Sequence, residues 1–129
     1  MGKRCGPESL WRALAFWDVI KVPFPYTDRP VRQRRPALVI AASEVLTQNR
    51  LLWVAMITSA ENRGSDGDVE IGDLAGAGLP AASVVRAVKI ACIDSRDAER
   101  MGVLASGGER RAVAGAVLHQ LGPLIAEVG

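Results

Sequence analysis

The sequence is poor in cysteine, histidine and aromatic side chains, and each scarcity closes off a class of function. Its 129 residues hold two cysteines, Cys5 in a polar N-terminal stretch and Cys92 in an apolar run. That pair matches neither a disulfide framework nor the spacing of a metal site, so both read as free thiols of a reducing compartment. The one histidine, His119, leaves no material for a histidine-dependent triad or a His-rich metal centre, and its place opposite the apolar stripe of a C-terminal helix predicts exposure. The glycines at 72, 76 and 78 precede no Gly-Lys-Ser/Thr, so there is no phosphate loop. Asp66, Asp68, Glu70 and Asp73 alternate with apolar residues or glycine. Their spacing fits no EF-hand loop and no paired-metal site, and is read as a solvated strand face; neither a metal nor another cofactor is expected. Leu10 to Ile20 is too short to span a bilayer and is broken by Arg12, Trp17 and Asp18. No small-residue cleavage site follows it, which predicts a soluble, cytoplasmic protein.

What remains describes one domain. A chain of this length buries roughly two-thirds of its unfolded surface in a single core. Net charge is +2 and 49% of residues are apolar, which excludes disorder and a wholesale polycation. Any affinity for nucleic acid must therefore be local. Lysine occurs only at Lys3, Lys21 and Lys89, so most positive charge sits on arginine, whose planar fork suits bidentate phosphate contact. Residues 1–15 read as an N-terminal extension with a short helix through Leu10, Trp11, Leu14 and Ala15, and residues 16–129 as the domain. Strands are predicted at Val19 to Phe24, Pro36 to Ala42, Leu51 to Thr58, Asp68 to Ile71 and, long and bent or in two pieces, Ser83 to Asp94. Leu74 to Pro80 shows no obvious element. Ser106 and Glu109 have the capping-box form ahead of Val113, Val117, Leu121 and Leu124, which predicts a helix laying one stripe on the sheet and kinked or ended by Gly122-Pro123. Several short strands with one terminal helix indicate a mainly β fold, a small SH3-like barrel. The tryptophans and phenylalanines are mostly core candidates.

The chemistry is concentrated in two places. Arg29, Arg32, Arg34 and Arg35 fall on one turn between core strands with no acid among them. Such a loop repels itself unless an anion neutralises it, although a solvated loop that keeps the protein soluble fits the charge pattern equally. Arg35 stands directly before Pro36, which holds its backbone extended. Tyr26 opens the loop and is placed to stack on a base. The second place is Ile57-Thr58-Ser59, where hydroxyls end an apolar strand. If the two strands pair, Thr58 and Arg35 meet at one rim, and a guanidinium beside a hydroxyl can bind phosphate and stabilise a phosphorane-like transition state. The alternative is a pair of hydroxyls bonding their own backbone.

From Asp18 to Ile40 (DVIKVPFPYTDRPVRQRRPALVI), through Val54 to Ser59 (VAMITS) and Ser83 to Asp94, the chain resembles the MazF/PemK family of toxin–antitoxin ribonucleases. The resemblance covers most of residues 16 to 127. It implies an SH3-like barrel that dimerises, a metal-independent cut of single-stranded RNA leaving a 2′,3′-cyclic phosphate and a 5′-hydroxyl, and a cognate antitoxin. It maps Arg35 onto the catalytic arginine and Thr58 onto the catalytic threonine; with an RNA substrate so implied, Tyr26, Arg29, Arg32, Arg34, Ser59, Arg86 and Lys89 are the expected RNA contacts. Two departures stand out. The family usually begins its first strand with Gly-Asp where this chain has Trp17-Asp18, and about fifteen residues precede that point. Val88 and Lys89 stand where relatives often carry acidic or amide side chains, so RNA sequence preference does not transfer. Two other readings stay open, a binding-only toxin of the gyrase-poison type and a non-catalytic SH3-like adaptor.

Overall fold

The computed structural model describes residues 14–23 and 33–128. The short N-terminal helix through Leu10 and the positions of Tyr26, Arg29 and Arg32 lie outside the described residues. Among the described residues six strands, β1 (Asp18–Pro23), β2 (Arg34–Ala41), β3 (Leu51–Ser59), β4 (Asp68–Glu70), β5 (Ser83–Asp94) and β6 (Glu99–Val103), form one antiparallel sheet in the order β4-β5-β3-β2-β1-β6. Three α-helices among the described residues, α1 (Glu44–Gln48), α2 (Leu74–Ala77) and α3 (Gly107–Val128), accompany it.

The unbroken apolar runs of β2 and β3 are explained by their central place. Successive side chains point to opposite faces, so a strand buried on both faces needs apolar residues at every position. Ala37, Val39 and Val54 join one cluster with Ile20, Leu52 and Ile93. Leu38, Ala55 and Ile57 join the other with Val19, Val85, Leu104 and Val113. Each large aliphatic so buried contributes about 1.5–3 kcal/mol of transfer free energy. Strand β5 is continuous but bent: Ala55 pairs with Ile90 and the next β3 residue, Met56, with Arg86, which leaves Ala87, Val88 and Lys89 out of the β3 register. A bulge of this kind curls the sheet toward a barrel.

The two edge strands β4 and β6 make no ladder with each other; the helix following β4 bridges the gap. Helix α2 packs on β6 so closely that a Cβ at Gly102 would strike the backbone of Ala77, and one at Gly78 would strike that of Met101. Gly78 ends α2 at φ +74, the left-handed cap that glycine adopts without strain. Asp73 starts the same helix, its carboxylate accepting from the Gly76 amide at 3.0 Å.

Where Gly-Asp was expected to open the first strand, Trp17 itself takes the left-handed conformation at φ +76. That costs a non-glycine residue about 1–2 kcal/mol. The position is held from several sides. Its amide donates to the Val39 carbonyl at 2.9 Å and its carbonyl accepts from Leu104 at 2.8 Å. Its ring packs on the second core cluster beneath the Arg110 guanidinium, 5.5 Å from the ring centre. The left-handed backbone of Trp17 is thus held by packing and hydrogen bonds.

The structure corrects several sequence readings. Strand β6 and helices α1 and α2 were not expected; α2 fills part of the stretch read as featureless. Helix α3 runs through Gly122 and Pro123 to Val128. Only its first half lies on the sheet: Val113 is fully buried, whereas Leu118, Leu121, Leu124, Ile125 and Val128 are exposed. The cap at its start is one-sided. Ser106 Oγ accepts from the Glu109 amide at 3.2 Å, but the Glu109 carboxylate reaches the Gly72 amide instead of returning to Ser106. Phe16 and Trp53, expected in the core, are exposed.

Candidate functional site

Strands β2 and β3 are antiparallel with Ala37 opposite Met56. Two further steps along that register set Arg35 against Thr58, at the end where β2 begins and β3 finishes. Both line one open cleft of about 260 Å³, together with Pro36, Ser59, Asn62 and Pro80. A second hollow of about 430 Å³, walled by Ser59, Glu61, Arg63 and Ala82, adjoins it.

Arg35 is half-buried, and its side chain is not fully satisfied. One terminal nitrogen donates to Gln33 Oε1 at 3.3 Å, while the buried Nε has no acceptor among the described residues. A buried donor left unpaired costs about 1–3 kcal/mol. The Thr58 hydroxyl does not bond its own backbone; its Oγ1 accepts from Asn62 Nδ2 at 3.1 Å. Ser59 does make the local bond, Oγ accepting from the Glu61 amide at 3.2 Å and so starting the 3-10 turn Ala60–Asn62.

The remaining basic residues divide by location. Arg34 alternates to the other side of β2, where it donates to the carbonyls of Lys21 and Asp97 at 3.0 Å each and lies 3.8 Å from Glu99. It does not line the Arg35 cleft. Arg86 is committed internally. Its Nε and Nη2 grip the Asp68 carboxylate at 3.1 and 3.0 Å, and Nη2 also donates to the Asn62 carbonyl at 2.6 Å. The Arg86 hydrogen bond holds the Asp68 carboxyl below its usual range, against the opposing effect of burial. Asp68 is therefore not part of a solvated strand face, and its side chain is only 8% exposed. Lys89 is half-buried on the β5 bulge, away from the residues lining the cleft. His119 is exposed. Among the described residues no three histidine, cysteine, aspartate or glutamate side chains gather closely enough to hold a metal ion. None of their helices is long and apolar enough to cross a membrane.

Residues 15–120 match the family model for PemK-like, MazF-like toxins of type II toxin–antitoxin systems. The chain belongs to that family. The fold agrees: MazF from Deinococcus radiodurans superposes with a TM-score of 0.65 at 24% identity, covering 83% of this chain and 94% of that one. The Mycobacterium tuberculosis toxin MazF-mt6 gives 0.59 at 24% identity over 78% and 91%. An endoribonuclease in complex with its cognate antitoxin from a mycobacterial species gives 0.65 at 15% identity over 85% and 96%. No curated protein matches the chain.

Two participants escaped the sequence reading of this family member. Asn62 carried no motif, and its place beside Thr58 comes from the 3-10 turn. Asp68 sits in a run of spaced acids whose periodicity resembles an ordinary surface strand. A cation on the next strand in sequence, at Arg86, was the only available signal.

Proposed function

We propose that the protein is a metal-independent endoribonuclease toxin that cuts single-stranded RNA, mRNA above all, at short sequence contexts in the cytoplasm, and that a cognate antitoxin neutralises it. The observation that carries this reading is the cleft shared by Arg35 and Thr58, with a buried guanidinium nitrogen lacking an acceptor. In such a cut the 2′-oxygen bonds to phosphorus while the bond from phosphorus to the 5′-oxygen breaks. The proton passes, on balance, from the 2′-hydroxyl to the departing 5′-hydroxyl, leaving a 2′,3′-cyclic phosphate. Nothing but a proton relay and charge stabilisation is required, and a fixed guanidinium with a hydroxyl supplies the second. Arg35 binds the phosphate and hydrogen-bonds the leaving oxygen, stabilising the charge that grows there until its proton arrives; Thr58 polarises the reacting groups. Guanidinium groups stay protonated in proteins, so the proton acceptor for the 2′-hydroxyl is a different group.

Ser59 at the cleft, Tyr26, Arg29 and Arg32 in the preceding loop, and Lys89 on the bulge are assigned to RNA contact. Arg34 and Arg86 are assigned to holding the strands that carry the site. Loss of Arg35 by Arg35→Ala is expected to slow cleavage on the order of 100-fold with little effect on folding, and Thr58→Ala to slow the chemical step while leaving affinity largely intact. Single-turnover cleavage of a defined RNA in the presence of a chelator measures both. Wild-type rates from both folded variants would replace this reading with the binding-only one.

The protein acts as a two-fold dimer. The exposed apolar residues on the second half of α3 support this, since an apolar surface of that kind favours self-association in a small domain. Sedimentation at micromolar concentration is expected to give a dimer; a monomer throughout would reject it.

A further inference from the structure

A threonine hydroxyl has one hydrogen to give and two lone pairs to receive with. At Thr58 one lone pair is taken by the Asn62 side-chain amide, at 3.1 Å, and among the described residues the hydroxyl hydrogen has no acceptor. The hydroxyl stands on the wall of the Arg35 cleft. An amide donating to its oxygen from one side turns the hydrogen away from that side.

Asn62 is itself held firmly. The 3-10 turn that follows β3 folds it back over Thr58, four residues earlier. Its main-chain carbonyl accepts from Arg86 Nη2 at 2.6 Å, and Arg86 is gripped in a two-point contact by Asp68. Asp68 in turn accepts from the amides of Gly64 and Ser65 at 3.2 Å each, so the loop between β3 and β4 is tied to β5 at both ends. Arg86 faces Met56 on β3 and Asp68 on β4 in the sheet register, which places this tie immediately beneath the cleft rim.

We infer that Asn62 is a positioning residue for Thr58: held by the Arg86–Asp68 pair, its amide donates to Thr58 Oγ1 and thereby directs the hydroxyl hydrogen into the cleft, toward a bound phosphate oxygen. This rests on the ribonuclease reading of the same cleft. A hydroxyl already oriented needs no reorganisation when charge develops on the phosphate, which is the condition under which a donor contributes most to rate. Asn62→Ala frees the hydroxyl to rotate. Asn62→Asp keeps the shape but supplies only acceptors, and so draws the hydrogen out of the cleft.

The test is a double-mutant cycle on single-turnover cleavage at saturating enzyme, with affinity read separately on the same RNA carrying a 2′-deoxy sugar at the cut. Asn62→Ala is expected to slow cleavage about 10-fold with affinity unchanged within about two-fold, and to have no further effect once Thr58→Ala is present. Asn62→Asp is expected to be slower than Asn62→Ala. An undiminished effect of Asn62→Ala in the Thr58→Ala protein would overturn the inference, because Asn62 would then act without Thr58. Wild-type cleavage by Asn62→Asp would also overturn it, because the amide would then be the acceptor. Failure of the underlying reading looks different: Thr58→Ala alone cleaves at the wild-type rate, and the inference falls with it.

Discussion

Two carboxylate–guanidinium pairs in this protein have almost the same contact geometry and opposite structural weight. Asp68 and Arg86 approach to 3.0 Å, Asp94 and Arg96 to 2.7 Å. The first pair joins β4 to β5 across 18 positions of sequence, with side chains 8% and 19% exposed. The second spans two positions at the end of β5, with side chains 35% and 54% exposed. The Asp94 carboxyl is held down to about 2, first by the Arg96 side chain and then by its backbone amide. Yet both partners remain close neighbours when the chain unfolds, so much of that attraction survives in the denatured ensemble. The Asp68 contact disappears on unfolding because nothing else brings its partners together. Contact distance is therefore a poor guide; burial and sequence separation decide which pair stabilises the fold.

The sharpest way to break the comparison is Asp68→Asn, which leaves Arg86 largely buried without its countercharge. It is expected to cost about 2–4 kcal/mol, read as a lower urea midpoint, and to slow RNA cleavage through the loss of the Asn62 tie. The pH dependence sharpens the contrast. The folded Asp68 carboxyl titrates below its unfolded value near pH 3.9, so its stabilisation is present above that pH and is lost as pH falls through the lower folded value. Denaturation between pH 6 and 2 should show a loss of stability that Asp68→Asn visibly flattens. The smallest effect is expected from Arg96→Ala, a shift in melting temperature below about 2 °C by scanning calorimetry. A shift as large as that of Asp68→Asn would mean that the local pair is specific to the folded state.

The sequence made the central strands legible because burial on both faces forces unbroken apolar runs, as at Leu38 to Ile40 and Leu52 to Ile57. The same two runs suggested that Arg35 and Thr58 would meet if the strands paired, but the register that sets them opposite is fixed only by the ladder. Strand β6 was hidden because its residues Glu99 to Val103 carry two charges and a glycine, and it is made a strand by pairing with β1. Helices α1 and α2 are too short to show a period and are defined by their caps, Ser43 and Asp73. Arg86 looked like one more basic residue for RNA, since sequence carries no record that β4 lays Asp68 against it. Trp17 was equally hard to read, because nothing in its side chain announces the positive φ that its backbone takes.

The close seat of α2 on Gly102 has a bearing on how the protein behaves in a crowded solution. An open sheet exposes a row of unpaired amides and carbonyls along each edge, which invites strand addition by a neighbouring molecule. Here β4 is only three residues long, and β6 lies under the backbone of α2. A side chain at position 102 is expected to lift α2 from the strand. In Gly102→Ala this should read as more light scattering at high concentration than the wild type gives, and equal scattering would show that the seat of α2 serves shape alone.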